Sequence, residues 1–294
     1  MSNKEINSPF RYAGGKFYAR KLILKHIPTH KTYIEPFSGG ASIFFAKSKS
    51  EENILNDLDQ DLINTLWHIQ NKPNELIESL KGIEAKKENH TFFKNDYNPT
   101  NNLERAKRWY FLNRTSYSGI MNMKNCYWGY GEKYSMRPEN WPRNILRTFE
   151  KLKGVKLLNQ DFESVIDNSP DNAFLFVDPP YYNADQDKFY ECFFKTEDHI
   201  RLSNVLKRNS KRLNFMITYD NSKEVIDLYK WAKEIHEKEW NYTISRTDDQ
   251  KKIKTTKPGE RIPRKKGKEI FILNYEDPCS ENEQLNIDFN SKNL

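Results

Sequence analysis

Asp178-Pro179-Pro180-Tyr181 directly follows the apolar run Ala173 to Val177. That run reads as a buried strand, so the tetrapeptide lies beyond the carboxyl end of a strand, where open α/β sheets bind their ligands. Each proline fixes its own φ and carries no amide hydrogen. The rim therefore offers a carboxylate, carbonyl oxygens without competing donors, and an aromatic face. It can accept hydrogen bonds from a planar exocyclic amine while the Tyr181 ring stacks on the heterocycle. A simple strand-ending turn would also use Asp-Pro, so the tetrapeptide has to be read with its companions.

Three other groups could do chemistry. Glu35-Pro36-Phe37-Ser38-Gly39-Gly40 ends one short strand and precedes a helix, and its two glycines let the backbone approach a ligand at the helix N-terminus. The spacing is not G-x-G-x-x-G. Asp57 follows about 20 residues on, after the next short strand, and suits an acid that binds ribose hydroxyls; an ordinary glycine turn with a helix-capping Asp fits equally well. Arg11-Tyr12-Ala13-Gly14-Gly15-Lys16 has the look of a phosphate loop, but Phe17 stands where a hydroxyl would hold magnesium, which excludes an NTPase. What remains is a tight turn presenting a Tyr and a Lys. Gln160-Asp161-Phe162 sets a carboxylate beside an aromatic, able to bracket a purine or simply to cap a helix over a core Phe.

These residues need elements to hold them. The spacing predicts strands at 32–36, 53–55, 155–158, 173–177, 214–218, 240–245 and 269–275. Helices are predicted over 41–47, from Leu58 to Ile69, over 196–208 and over 222–233. Residues 73–112 read as helical, with a second helix over 103–112, and 113–144, rich in Asn, Gly, Tyr, Trp and Pro, as loop and hairpin. Alternating strands and helices predict an α/β sheet with crossovers.

Composition sets the outer limits. The 294 residues can bury a substantial core, and 18 Phe, 16 Tyr and 6 Trp argue against disorder despite a mean hydropathy of −0.92. Three cysteines without C-x-x-C spacing exclude a disulfide framework and speak against a cysteine-built zinc site. No apolar run is long enough to cross a membrane, and the polar N-terminus has no signal-peptide pattern, so an intracellular protein is expected. The net charge of +7 is uneven: residues 1–33 carry +6, 77–160 carry +8 and 246–268 carry +7, whereas 34–76 carry −4, 161–245 carry −5 and 269–294 carry −5. Basic walls around an acidic core suit a polyanionic partner.

Taken in order, Tyr12–Lys16, Glu35–Gly40, Asp57, Asp161-Phe162 and Asp178–Tyr181 resemble the Dam-type DNA adenine-N6 methyltransferases, from about Phe10 to Tyr275. The resemblance implies a Rossmann-like methyltransferase sheet with an inserted, mainly helical target-recognition domain. It divides the chain into a catalytic core at 1–76 and 157–276, an insertion at 77–156 and a flexible tail at 277–294. It further implies S-adenosylmethionine as cofactor. Tyr12, Ala13, Gly14, Gly15, Lys16 and Asp57 would bind it, with Glu35, Pro36, Phe37, Ser38, Gly39 and Gly40 against its methionine part. Asp161 and Phe162 would hold its adenine, and Asp178 would face both cofactor and target base. Asp178, Pro179, Pro180 and Tyr181 would be catalytic.

Phe111-Leu112-Asn113-Arg114 through Gly119-Ile120 is similar to the family's DNA-contacting hairpin. Asn113, Arg114, Tyr117, Ser118, Gly119, Asn122, Lys124, Arg137, Lys265 and Lys266 are the expected DNA contacts. Asn122 stands where the Dam pattern has a basic residue, which leaves room for a recognised sequence other than GATC. The segment 246–268 reads as a flexible basic loop, able to clamp phosphates or simply solvated.

The expected partner is double-stranded DNA with its target adenine flipped out, in a bacterial or phage-infected cytoplasm near the nucleoid. A cognate restriction endonuclease is a possible companion; no membrane partner and no metal are expected. His26 and His30 are interrupted by Pro28, so they do not form a helical ligand pair. The competing readings are N-methylation of cytosine N4 or of RNA, and a catalytically idle DNA-binding protein.

Overall fold

The computed structural model describes residues 5–12, 14–133, 135–183, 194–241 and 266–279. Seven strands form one sheet in the order β3-β2-β1-β4-β5-β7-β6. They are β1 (Thr32–Glu35), β2 (Glu52–Asn56), β3 (Lys156–Leu158), β4 (Phe174–Val177), β5 (Asn214–Asp220), β6 (Glu234–Asn241) and β7 (Lys266–Leu273). The first five run parallel, while β7 is antiparallel to both β5 and β6. This mixed, mostly parallel sheet has the Rossmann-like α/β form expected from the sequence.

Helices cover both faces, so the central strands are buried on each side and read as continuous apolar runs. In β4, Phe174 and Phe176 enter one core while Leu175 and Val177 enter the other, as the two-residue period of a strand requires. The first core is shared with α1 (Arg20–His26), α2 (Ser42–Ala46), α3 (Gln60–Asn71), α4 (Pro73–Leu80), α5 (Lys87–Asn95), α6 (Asn102–Thr115) and α7 (Trp141–Leu152). The second is roofed by α8 (Phe162–Asp167), α9 (Thr196–Asn209) and α10 (Lys223–Leu228). Asp59 caps α3 by accepting from Asp61 N and Leu62 N, and Asn101 caps α6 by accepting from Glu104 N.

Several elements depart from the sequence reading. Residues 111–115 are the last turn of α6 rather than a hairpin, and α7 begins at Trp141 inside the stretch expected to be loop. Helix α6 contains the predicted helix over 103–112 and runs three residues further; eight of its residues, from Ala106 to Thr115, are buried around its circumference, so no amphipathic pattern marks its end. Helix α5 separates what reads as a single helical region, and α1 has no counterpart among the predicted elements. Helix α10 stops at Leu228 because β6 starts at Glu234, six residues before the expected strand; residues 242–245 lie outside the described residues. Among the described residues, no helix is long and apolar enough to cross a membrane.

Candidate active site

The carboxyl ends of β1, β4 and β5 converge with the tight turn before α1. Asp178 leaves the end of β4, and Lys16 Nζ reaches both its oxygens, at 2.6 Å to Oδ1 and 2.8 Å to Oδ2. Thr218 on β5 donates to Asp178 Oδ1 at 2.7 Å. Lys16 is itself buried, donates to the Gly14 carbonyl at 3.0 Å and lies 4.9 Å from the centre of the Tyr181 ring. A buried ammonium is costly to desolvate unless it is paired, so the pair fixes both side chains.

The loop after Asp178 is anchored by two further acids that are opposite neighbours in the β5–β7 register, Asp220 and Glu269. Asp220 accepts from Tyr182 N and Asn183 Nδ2, each at 2.9 Å. Glu269 accepts from the Tyr181 hydroxyl, while its other oxygen, Oε1, is buried with no partner. Glu269 is 1% exposed, and burial pushes its carboxyl up to about 7, opposed by the Lys16 charge.

The glycine turn after β1 forms the opposite wall. Glu35 is buried at the end of β1; its Oε1 accepts from the Tyr33 hydroxyl and from Phe44 N, each at 2.8 Å. Burial pushes its carboxyl up to about 8. A Cβ on Gly39, whose φ is +45°, would lie 2.7 Å from the Tyr12 ring, and one on Gly40 would lie 3.0 Å from Tyr12 Cβ. Tyr12 therefore packs directly on a backbone that only glycine allows so close. Asp57 Oδ2 accepts from Gly39 N at 2.8 Å and its Oδ1 from Asp59 N at 3.0 Å, while burial raises its carboxyl. Ser38 Oγ is buried without a partner. Tyr12, Gly39, Asp57 and the unsatisfied Ser38 hydroxyl thus cluster at the end of β1, the strand next to β4 and its acid. Ala13 lies outside the described residues.

Asp161 and Phe162 begin α8, with Asp161 capping it through Glu163 N at 3.0 Å. Arg201 on α9 forks onto Asp161 at 2.8 and 2.9 Å, and its guanidinium lies 4.2 Å from the Phe162 ring centre. Phe37 and Phe194 pack on Phe162 with centroids 5.3 and 5.6 Å away. Arg201, Thr218, Asp220 and Glu269 escaped the sequence reading, since each lies one strand or helix away from any motif.

The segment expected to contact DNA divides. Asn113 and Arg114 are buried in α6. Asn113 accepts from Arg11 N at 3.1 Å and donates to Arg11 O at 2.7 Å, and Arg114 donates to the Pro9 carbonyl at 3.1 Å. A Cβ on Gly119, at φ +72°, would lie 2.2 Å from Arg11 O. These residues fix the chain immediately before Tyr12 and present no surface. Asn122 is also buried, with Oδ1 accepting from Lys124 N at 3.1 Å. Tyr117, Lys124 and Arg137 are exposed, and Ser118 is half-buried in a left-handed conformation at φ 54°. Tyr127, not among the expected DNA contacts, is the most exposed of the large apolar side chains among the described residues, at 61%. Lys265 and most of the basic loop lie outside the described residues, and Lys266 is the first residue of β7.

The family model for D12 class N6 adenine-specific DNA methyltransferases matches residues 12–244. The chain is 28% identical over 240 residues to a Type II methyltransferase, M.CviBI, of Paramecium bursaria Chlorella virus NC1A, covering 80% of this chain and 91% of that protein. It is 27% identical over 262 residues to the DNA adenine methylase of Haemophilus influenzae, covering 79% and 86% of the two chains. It is 29% identical over 246 residues to the DNA N-6-adenine-methyltransferase of Escherichia phage P1, covering 76% of this chain and 31% of that longer one.

Proposed function

The chain belongs to the D12 class N6 adenine-specific DNA methyltransferase family, and from that premise we propose that it methylates the N6 amine of an adenine flipped out of double-stranded DNA, with S-adenosylmethionine as donor. The observation that carries the proposal is Asp178, held by Lys16 and Thr218 at the end of β4, beside the glycine wall. The donor fits that wall: Ser38 Oγ is an unsatisfied buried hydroxyl, Gly39 and Gly40 hold the backbone bare, and Asp57 keeps lone pairs free for ribose hydroxyls. Tyr12, Gly14, Gly15, Lys16, Glu35 and Ser38 would hold the methionine part, and Phe37, Asp161 and Phe162 the purine. When bound, the donor supplies an electrophilic methyl group.

The chain's own residues would make the amine reactive. The N6 lone pair is delocalised into the purine ring, so the free amine is a poor nucleophile. Asp178 and the Pro179 carbonyl, accepting its two N–H bonds, would favour a pyramidal nitrogen and stabilise positive charge as it develops there. Their contribution is position and electrostatics; proton loss follows attack. Tyr181, tethered by Glu269, would stack on the extruded base, since the amine is unreachable within a duplex. Pro180 keeps the loop rigid.

Residues 1–76 and 157–276 form the catalytic unit in this reading, and 77–156 the target-recognition unit. Tyr117, Lys124, Tyr127 and Arg137 contact DNA on the exposed side of the turn whose buried side, Asn113 and Arg114, anchors the Tyr12 loop. Two settings suit the enzyme: modification alongside a cognate endonuclease, as the Type II name of the viral relative suggests, or phage and host methylation. Incubation with labelled S-adenosylmethionine and unmodified plasmid should place label on adenine N6 within one short sequence. Label on cytosine N4 or only on RNA, or DNA binding without label, would overturn it.

A further inference from the structure

At the opposite end of the sheet from Asp178, a second polar cluster joins three parts of the chain. Asp277, just beyond β7, is 4% exposed. Its Oδ2 meets two imidazole nitrogens, His26 Nδ1 at 2.7 Å and His236 Nε2 at 3.5 Å. Cys279 follows two residues later, with Sγ 3.3 Å from the Lys25 carbonyl. Donor atoms of His26, Asp277 and Cys279 all lie within 4.8 Å of one another, and so do those of Glu234, His236 and Asp277. Asp277 thus belongs to both sets, and the His26 and His236 ring centroids are 6.3 Å apart.

We propose that this cluster is a structural site for a zinc-class transition ion, with His26, His236, Asp277 and Cys279 as ligands. Two imidazoles, a carboxylate and a thiolate make a four-donor set of the kind that borderline-soft divalent ions prefer over magnesium or calcium. The donors come from the end of α1, the start of β6 and the segment after β7, so an ion would tie together pieces that otherwise meet at the edge strand of the sheet. Without the ion, Glu234 takes its place at His236: its Oε2 holds His236 Nε2 at 2.7 Å, while its Oε1 accepts from Asp277 N at 3.2 Å. On binding, His236 exchanges the Glu234 contact for the ion, and the short His26–Asp277 hydrogen bond opens to admit it. The Tyr275 hydroxyl donates to the His26 carbonyl at 2.8 Å and keeps the α1 end in register with the cluster. In the β5–β7 register Leu273 pairs with Met216, near the start of β5, whereas Glu269 pairs with Asp220 at the catalytic edge. The ion therefore takes no part in methyl transfer.

The test is cobalt and zinc titration of the untagged full chain after chelator treatment and gel filtration. Expected are one bound ion per chain, a thiolate-to-cobalt absorption band and a rise in melting temperature with zinc. Cys279→Ser should abolish the band, and His236→Ala should weaken binding at least tenfold; both positions are partly exposed, so both variants should fold. No stoichiometric binding, or binding that neither substitution changes, would overturn the proposal.

Discussion

The catalytic edge and the turn between α6 and α7 are both crowded with polar side chains, but they use them differently. At the edge, the reacting acid and the aromatic beside it are held by other side chains: Lys16 and Thr218 bond to Asp178, and Tyr181 to Glu269. Around the turn, side chains bond to backbone: Asn113 to Arg11, Arg114 to Pro9, Arg108 to the carbonyls of Phe93 and Lys94, and His90 to the Cys126 carbonyl. Partners in a side-chain network can be exchanged when a ligand arrives, whereas side chain–backbone bonds fix the path of the chain. In the proposed reading, the edge receives a reacting amine and a cofactor, while the turn is a mount that leaves only its exposed residues to DNA.

The largest expected effect breaks the exchangeable network. Asp178→Ala should lower kcat by about 10³-fold, in line with the loss of one preorganised electrostatic partner. Affinity for duplex DNA should change by less than roughly threefold, because no DNA phosphate contact is removed. Steady-state kinetics with a filter-binding assay check both. An equal loss of binding would assign Asp178 a structural role instead.

Next in size is the buried acid that tethers Tyr181. The Glu269 carboxyl is raised from 4.5 to about 7 in the fold, so the folded state holds a proton that the unfolded chain releases. Its contribution to stability is fully present below pH 4.5 and is lost as pH rises through about 7, a decline of roughly 3 kcal/mol. Glu269→Gln stays neutral and can still accept from Tyr181, so it should remove that part of the pH dependence while the share from Glu35, raised to about 8, persists. Guanidinium midpoints between pH 5 and 8.5 measure it; an unchanged slope would show that the carboxyl ionises without cost.

The two regions also differ in how far the sequence reveals them. Asp178–Tyr181 and Glu35–Gly40 could be recognised because each follows a short apolar strand, and the strand end itself predicts a ligand site. Lys16 was singled out with its turn, but its pairing with Asp178 is separated by 162 residues and appears only in the fold. Glu269 was invisible for the same reason: on β7 it follows Lys266, Gly267 and Lys268, and nothing local announces a buried acid. In the turn, Asn113 and Arg114 looked like base-reading side chains because Asn and Arg suit that task. Their burial follows from α6 being packed almost all round, which erased the amphipathic pattern that would have placed them inside. Nothing local in the sequence separates Tyr127 from Trp109 and Trp141; only its exposure in the fold does.

Those two classes of insertion residue give the next test. Asn113→Ala removes both hydrogen bonds to the Arg11 backbone and should cost about 2 kcal/mol of stability, the penalty for leaving buried amide groups unpaired. S-adenosylmethionine affinity should fall with it through the loosened Tyr12 loop. A stable variant that lost only DNA affinity would make Asn113 a base-reading residue after all.

The smallest effect belongs to the exposed side of the mount. Tyr127 projects into solvent with Lys94 Nζ 5.1 Å from its ring centre, so an aromatic face and a cation stand together where a base or a phosphate can reach them. Tyr127→Ala should weaken DNA binding by about 1 kcal/mol, the lower end for loss of an aromatic–base contact, and leave the melting temperature and S-adenosylmethionine affinity unchanged. Lys124→Ala should reduce the slope of log affinity against log salt by about 1, as expected for one phosphate contact, without altering sequence preference. Loss of stability in either variant would mean that these side chains support the turn, and the division between buried mount and exposed reader would fail at that position.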